Sequence, residues 1–502
     1  MFGLGLRKQV YFDSNATTSV SKKVRKKMYS VLKNCYGNPS SLYHSAFDAA
    51  NILLDARSSV AQAINAEPDE IIFTGSASES NNMVLKSLTD YFYPEKKKII
   101  TTPPEHPSII NTLEYLQEKY DLEVEFTPID RYGFVDPAEL DQMIDENTFL
   151  VVCMYVNNEL GTIQNIPEIS KITGKHKALL LTDCVQALGK IPLDMKRLGI
   201  DYASFSAHKI HGPKGSGALY VKKGSPIGAF IHGGHQEGGL RAGTEAVHNI
   251  AGFGEACKEV PALIERYTAS GRLKKRLIQG VRKTRSDIVL NSPEQDCLMN
   301  TVSITFPGTD NNIFMGMLNL YGIAVSAGSA CSTPENKPSH VLTAVGLSEQ
   351  AARETIRFSL SGRTTERDID YTVKVIDNYF SGKTPQIGMV SPGQLNEELL
   401  FHEELYILDV RFGYDRYFIK SLPGAVEIPF FSFRKYVRKV PKDKNVLVIC
   451  QSGMNSPLVA YYMRAKGFKR VSFLMTGMIG WKFMYPELYK KYGGKGVTTV
   501  SE

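Results

Sequence analysis

Short uninterrupted apolar runs, each closed by polar or small residues, recur along this chain and predict buried strands. One covers residues 178–181 and ends in Thr182 and Asp183; another covers residues 202–205 and ends in Ser206-Ala207-His208-Lys209. Runs of this length suit strands buried in a sheet. Ile71 and Ile72 lead into Phe73-Thr74-Gly75-Ser76-Ala77-Ser78-Glu79, after which Val84, Leu85, Leu88 and Phe92 recur on one helical face. The pattern there is strand, small-residue turn, helix. Residues 381–393 are rich in Pro, Gly and Ser and predict a linker. Beyond them the alternation resumes, with strands at 406–411, 424–429, 445–450 and 471–474. A helix is expected to follow Cys450, with Ser456 as its N-cap, Pro457 in its first position and Gly467 as its stop.

In open α/β sheets ligands sit at the carboxyl ends of the strands. An Asp at one strand end (Asp183) and a Lys at another (Lys209) are what pyridoxal 5'-phosphate (PLP) requires. The amine carries the cofactor, and the carboxylate holds the ring-nitrogen proton that makes the ring an electron sink. The turn at Ala77 and Ser78 offers free backbone N–H groups to a phosphate. Ser206, His208 and the stretch from Gly233 to Thr244 add donors.

These and further segments in order resemble the cysteine desulfurases of the NifS/IscS type, PLP enzymes of fold type I. The matching segments include Asp13 and Asn15-Ala16-Thr17-Thr18, Gly37-Asn38-Pro39-Ser40, Glu105-His106, Asn157-Asn158-Glu159, Asp183 with Gln186, Ser206 to Lys209, Arg241 to Thr244, Gly328 to Cys331, and Ile356 to Ser359. The resemblance runs from Val10 to about Ser381. It implies an α/β large domain (about 15–260) with a mixed, mostly parallel sheet. A small α/β domain would comprise the N-terminal arm and about 261–382, for a desulfurase part of 1–382. In this family's pattern Lys209 carries PLP and acts as base, Asp183 pairs with the ring nitrogen, and Gln186 bonds the ring phenol oxygen. His106 stacks on the ring, and Asn158 faces the bound substrate. Ala77, Ser78, Ser206 and His208 hold the phosphate. Thr244 reaches the phosphate of a neighbouring subunit, which implies a homodimer. Arg357 clamps the substrate carboxylate, with Asn158 and Asn38 beside it. Cys331, in a Pro/Gly-rich polar loop, takes the sulfur of L-cysteine as a persulfide and leaves alanine; selenocysteine could follow the same path.

After the linker (383–395), residues 396–502 resemble a single rhodanese domain, a small α/β unit in which Cys450 ends a buried strand and opens a helix. Backbone N–H groups and a helix N-terminus there favour a thiolate. The loop from Cys450 to Asn455 has no Lys or Arg, which disfavours a small dianion such as thiosulfate. Relay of a persulfide from Cys331 to Cys450 is one expectation; a catalytically silent domain that docks a partner is the other.

Composition narrows the picture further. Residues 396–502 hold 17 Lys and Arg against 10 Asp and Glu, so they account for the whole net charge of +7. That suggests a domain with its own partners, such as a sulfur-acceptor protein: an iron–sulfur scaffold, or an enzyme of tRNA thiolation or thiocofactor synthesis. No RNA-binding motif is visible. Seven Cys without a CxxC pair argue against a disulfide framework or a metal site and fit a reducing cytoplasm. No apolar run approaches transmembrane length, and Arg7, Lys8 and Gln9 interrupt the N-terminal apolar residues before they reach signal-peptide length.

Overall fold

The apolar runs become the middle of a seven-stranded sheet in a computed structural model that describes residues 9–328, 338–384, 387–453 and 455–499. The spatial order is Ile71–Thr74, Gly217–Val221, Tyr202–Ser206, Leu179–Asp183, Thr148–Val152, Lys98–Thr101, Glu123–Phe126. Gly217–Val221 runs antiparallel to both neighbours, and the remaining pairs are parallel. Helices cover both faces, so the central strands carry apolar residues at every position instead of alternating. Leu180, Ala203 and Phe205 pack on one face with Ala56, Val60 and Phe253. Leu181, Tyr202 and Leu150 pack on the other with Met83, Leu88 and Leu113.

A second, smaller sheet forms from residues far apart in the chain. Thr301–Thr305 pairs antiparallel with Thr355–Ser359 and with Val289–Leu290. The N-terminal strand Val10–Tyr11 pairs with Ile323–Ala324, and Asp13 bridges to Ser359. Phe12, Phe306, Phe314 and Phe358 fill the core beneath them.

The C-terminal sheet is parallel throughout, in the order Gly388–Val390, Val471–Leu474, Asn445–Ile449, Leu405–Asp409, Val426–Glu427, Thr498–Thr499. Its first strand lies inside the stretch that the sequence marks as linker. Three residues flanked by Pro and Gly are too short to show a period, and it is pairing with Val471–Leu474 that makes them a strand. This sheet touches the rest of the molecule through two helices. Asn311–Leu320 packs against Ser456–Ala465. Pro457 lies beside Gly316, Ile313 joins the apolar cluster of the C-terminal sheet, and the hydroxyls of Tyr321 and Tyr461 are hydrogen-bonded. Among the described residues no helix is long and apolar enough to cross a membrane.

Candidate active site

The carboxyl ends of the central strands converge on one cavity. Ala77, Ser78, His106, Asn158, Asp183, Gln186, Ser206, His208, Lys209 and Arg357 all line it. Lys209 ends the short turn after Tyr202–Ser206, and its Nζ donates to the carbonyl oxygens of Asn15 at 2.6 Å and Ala16 at 2.9 Å. Asp183 is buried at the end of its strand. Its Oδ1 accepts the Val185 N–H at 2.9 Å and its Oδ2 the Asn81 amide at 3.3 Å, so both oxygens are fixed in direction.

His106 caps the Pro107–Tyr120 helix. Its Nδ1 accepts the Ser108 N–H at 3.1 Å, so the neutral ring carries its proton on Nε2. Burial holds the His106 pKa below the ordinary imidazole value despite the nearby Asp183. Burial, helped by Lys209 and Lys214, brings His208 down to about 4. Both imidazoles are therefore neutral at neutral pH.

The phosphate end is built from backbone. Ser76 caps the Ala77–Phe92 helix through the Glu79 N–H, and the N–H groups of Ala77 and Ser78 have no intrahelical partner because they belong to the first turn. Gly217 lies directly behind this turn. A Cβ there would stand 2.6 Å from the Ser76 carbonyl carbon and 2.9 Å from the Ala77 nitrogen, so any larger residue would push the cradle outward.

Arg357 is only 1% exposed. Its Nη2 pairs with Asp13 at 2.8 Å and its Nη1 donates to the Asn158 carbonyl at 3.1 Å. Its Nε is buried and has no hydrogen-bond partner among the described residues. A buried guanidinium N–H is costly to leave unmatched, and a carboxylate is its natural complement.

Several groups that hold this cavity together carry no signal in the sequence alone. Asn15 is the hub: its side chain bonds the Asn158 carbonyl, Thr301, Asn300 and Lys190, and its backbone N–H bonds Ser359. Asn81 orients Asp183, and Lys190 contacts Gln186. Of the expected site residues, Asn38 is not in the cavity. It is exposed, and its side chain accepts the Ser40 N–H at 3.0 Å, a local turn contact. Thr244 is also exposed and outside the cavity, on a segment anchored by the Arg241–Glu79 ion pair at 2.8 Å. Cys331 lies outside the described residues. The described residues on either side of it meet at Glu159, which accepts the Ser339 hydroxyl at 2.6 Å and borders Gly328.

Glu105 sits behind His106 with no exposed surface. Burial, with Asp183 adding to it, raises its pKa from 4.5 to about 8. Its proton is held in the folded state and lost more readily in the unfolded one. The stability this contributes is fully present below the unfolded value and is lost as pH rises through about 8. Glu105→Gln should therefore melt like the parent at about pH 5 and at a higher temperature than the parent at about pH 9, which thermal unfolding followed by circular dichroism checks.

The class-V aminotransferase family model matches residues 10–372. The chain belongs to this family. A rhodanese-like domain model matches residues 391–483. A cysteine desulfurase IscS of Dictyoglomus turgidum is 41% identical over 376 residues, 74% of this chain and 94% of that protein. One from Methanosarcina thermophila is 40% identical over 370 residues, 74% of this chain and 91% of that protein. Among solved structures, a NifS-like protein superposes with a TM-score of 0.71 at 39% identity, covering 75% of this chain and all of that one. SspA in complex with cysteine gives 0.64 at 36% identity, covering 71% and 100%. Members of the class-V aminotransferase family use PLP, and the cavity fits it: an amine, a fixed carboxylate, a neutral imidazole and a backbone cradle line one space.

In the rhodanese-like domain of this class-V aminotransferase, Cys450 follows the Asn445–Ile449 strand and is 2% exposed. Its Sγ accepts the Asn455 N–H at 3.3 Å and lies 3.2 Å from the Ser456 hydroxyl. Ser456 is thus not the helix cap that the sequence suggests. The helix begins at Ser456 with Asn455 before it and no side-chain cap. The hydroxyl serves the sulfur instead, a competing partner that lies six residues away in the chain. A cation does approach the loop from another strand: Arg411 Nη1 donates to Gln451 Oε1 at 3.2 Å. Asp409 pairs with it at 2.7 Å, and both side chains are fully buried, so the pair brings no net charge. Among the described residues no cluster of side chains could hold a metal ion.

Proposed function

We propose that this chain is a PLP-dependent cysteine desulfurase that converts L-cysteine to L-alanine, leaves the sulfur as a persulfide on Cys331, and passes it to Cys450 of the rhodanese-like domain. The observation that carries the first part is the single cavity in which Lys209, Asp183, His106 and Arg357 meet. In this reading Arg357 binds the substrate carboxylate, Lys209 takes the proton from Cα, and neutral His106 is placed to donate from Nε2. Bound PLP supplies the electron sink for the charge at Cα. The Cys331 thiolate then takes the substrate sulfur, so that cysteine and thiol become alanine and persulfide with no outside oxidant.

The relay is a second thiol–persulfide exchange. The Cys450 thiolate attacks the outer sulfur of the Cys331 persulfide, and the Cys331 thiolate leaves. The N–H of Asn455 and the hydroxyl of Ser456 support it, because both can donate to an anionic sulfur. The Cys450 helix packs against Asn311–Leu320 of the preceding domain, which supports a transfer between the two parts of the chain. We place Thr244 at the phosphate of the other subunit of a homodimer, in keeping with its exposure outside its own cavity. Delivery to an iron–sulfur scaffold or a thiolating enzyme in the cytoplasm is the matching biological setting.

A single turnover with sulfur-labelled cysteine, followed by non-reducing proteolysis, tests the relay. Label is expected on the Cys331 peptide first and on the Cys450 peptide later. Cys450→Ser should leave first-turnover alanine release intact and remove label from the C-terminal domain. Label confined to Cys331 in the parent protein would make the domain a docking module instead, a reading favoured by the absence of a net positive charge at the loop.

A further inference from the structure

Lys190 is 3% exposed, and no carboxylate pairs with it among the described residues. Its Nζ donates to Asn15 Oδ1 at 2.9 Å and to Gln186 Oε1, and it stands 5.9 Å from the centre of the Tyr267 ring. Burial drives its pKa well below the ordinary lysine value, and the positive charges of Lys209 and Arg357 add to that. An amine buried beside two cations destabilises the fold unless its contacts compensate. Asn15 does not need it, since Ser359, Thr301, Asn300 and Asn158 already hold that residue.

Gln186 does need it. One N–H of its amide donates to the Asn15 carbonyl at 2.9 Å, and its oxygen takes the Lys190 donor. Turning the carboxamide over would set –NH2 against a donor amine and lose both bonds. Lys190 therefore reinforces, on the oxygen side, the orientation that the Asn15 carbonyl selects on the –NH2 side, and that leaves the second N–H for the cavity that Gln186 lines.

We propose that Lys190 is a positioning residue: it locks the Gln186 amide with its free N–H toward the phenol oxygen of the cofactor and, through that bond, tunes the acidity of the Lys209-bound group. The proposal rests on the PLP reading above. A donor at the phenol oxygen stabilises its anionic form and makes the neighbouring Lys209 nitrogen easier to deprotonate.

The test is a visible-absorbance titration of the full-length holoenzyme without cysteine. Lys190→Met is expected to raise the midpoint by about one pH unit, and Gln186→Ala by a similar amount. In the double variant the two shifts should not add, because both remove one interaction. Lys190→Arg, which keeps the donors, should restore a midpoint close to the parent's. The other groups around Lys209 are unchanged in every variant: Asp183, His106 with His340, His208 with Lys214, Glu105, and Arg357 with Asp13 and Tyr11. A parent protein with no visible band would overturn the PLP reading itself. A band that titrates identically in Lys190→Met, or shifts that add in full, would overturn the role of Lys190. If Lys190→Met does not take up cofactor, the Lys190→Leu and Lys190→Arg midpoints decide: the first should rise and the second should not.

Discussion

Lys209→Ala should reduce alanine release from L-cysteine by about four orders of magnitude, the upper end of what a positioned general base supplies. In the proposed reading it also removes the group through which the cofactor is attached. The pocket should survive, because the other anchors are independent of the amine. Asp183 is fixed by Val185 and Asn81, and the phosphate cradle by Ser76 and Gly217. The variant is expected to bind PLP reversibly, so that dialysis strips it and borohydride no longer fixes it to the chain. Alanine release within tenfold of the parent would exclude Lys209 as the base and point to His106.

Arg357→Lys should lower kcat/KM for cysteine by about a hundredfold, in line with losing charge-assisted hydrogen bonds to a carboxylate. Most of the change should appear in KM, because the carboxylate is not the reacting group and its binding is shared by ground and transition states. Lysine keeps a charge opposite Asp13, so the arm stays paired. Arg357→Leu would leave that carboxylate without its partner and should also lower the melting temperature. Steady-state kinetics alongside thermal unfolding separates the two effects. An unchanged KM in Arg357→Lys would mean that the guanidinium serves only Asp13.

Much of the site was legible because it lies where strands end. Asp183 and Ser206 end short, mostly apolar runs, Lys209 follows three residues later, and Ala77 opens an amphipathic helix, so the pattern suggested strand ends and the family resemblance joined them into one site. The supporting residues were not legible. Asn15 bonds Ser359 across 344 positions of sequence and Lys190 across 175, and nothing local to an Asn or a Lys announces such a partner. Asn81 is one polar position among several on its helix. Ser456 read as a cap because a Ser before Pro is a good one, and the reading failed because the helix begins at Ser456 itself and its hydroxyl lies 3.2 Å from the Cys450 sulfur. Gly388–Val390 read as linker because a three-residue edge strand is specified by its neighbour and not by its own composition.

The long reach of Asn15 has a consequence for synthesis. Chains emerge N-terminus first and fold in that order. The seven-stranded sheet is complete once residue 221 has been made, with Lys209, Asp183 and His106 already assembled on it. The strand Val10–Tyr11 and Asp13 must wait, because their partners Ile323–Ala324 and Arg357 come more than three hundred residues later, although Asn15 can already meet Asn158 and Lys190. A nascent chain arrested before residue 323 would hold Lys209 but not Arg357, and its first strand would be an open edge exposed to stray pairing. The ribosome thus produces an inert precursor that becomes competent for its substrate only when its two ends meet, while the C-terminal sheet that would receive the sulfur is still to be translated.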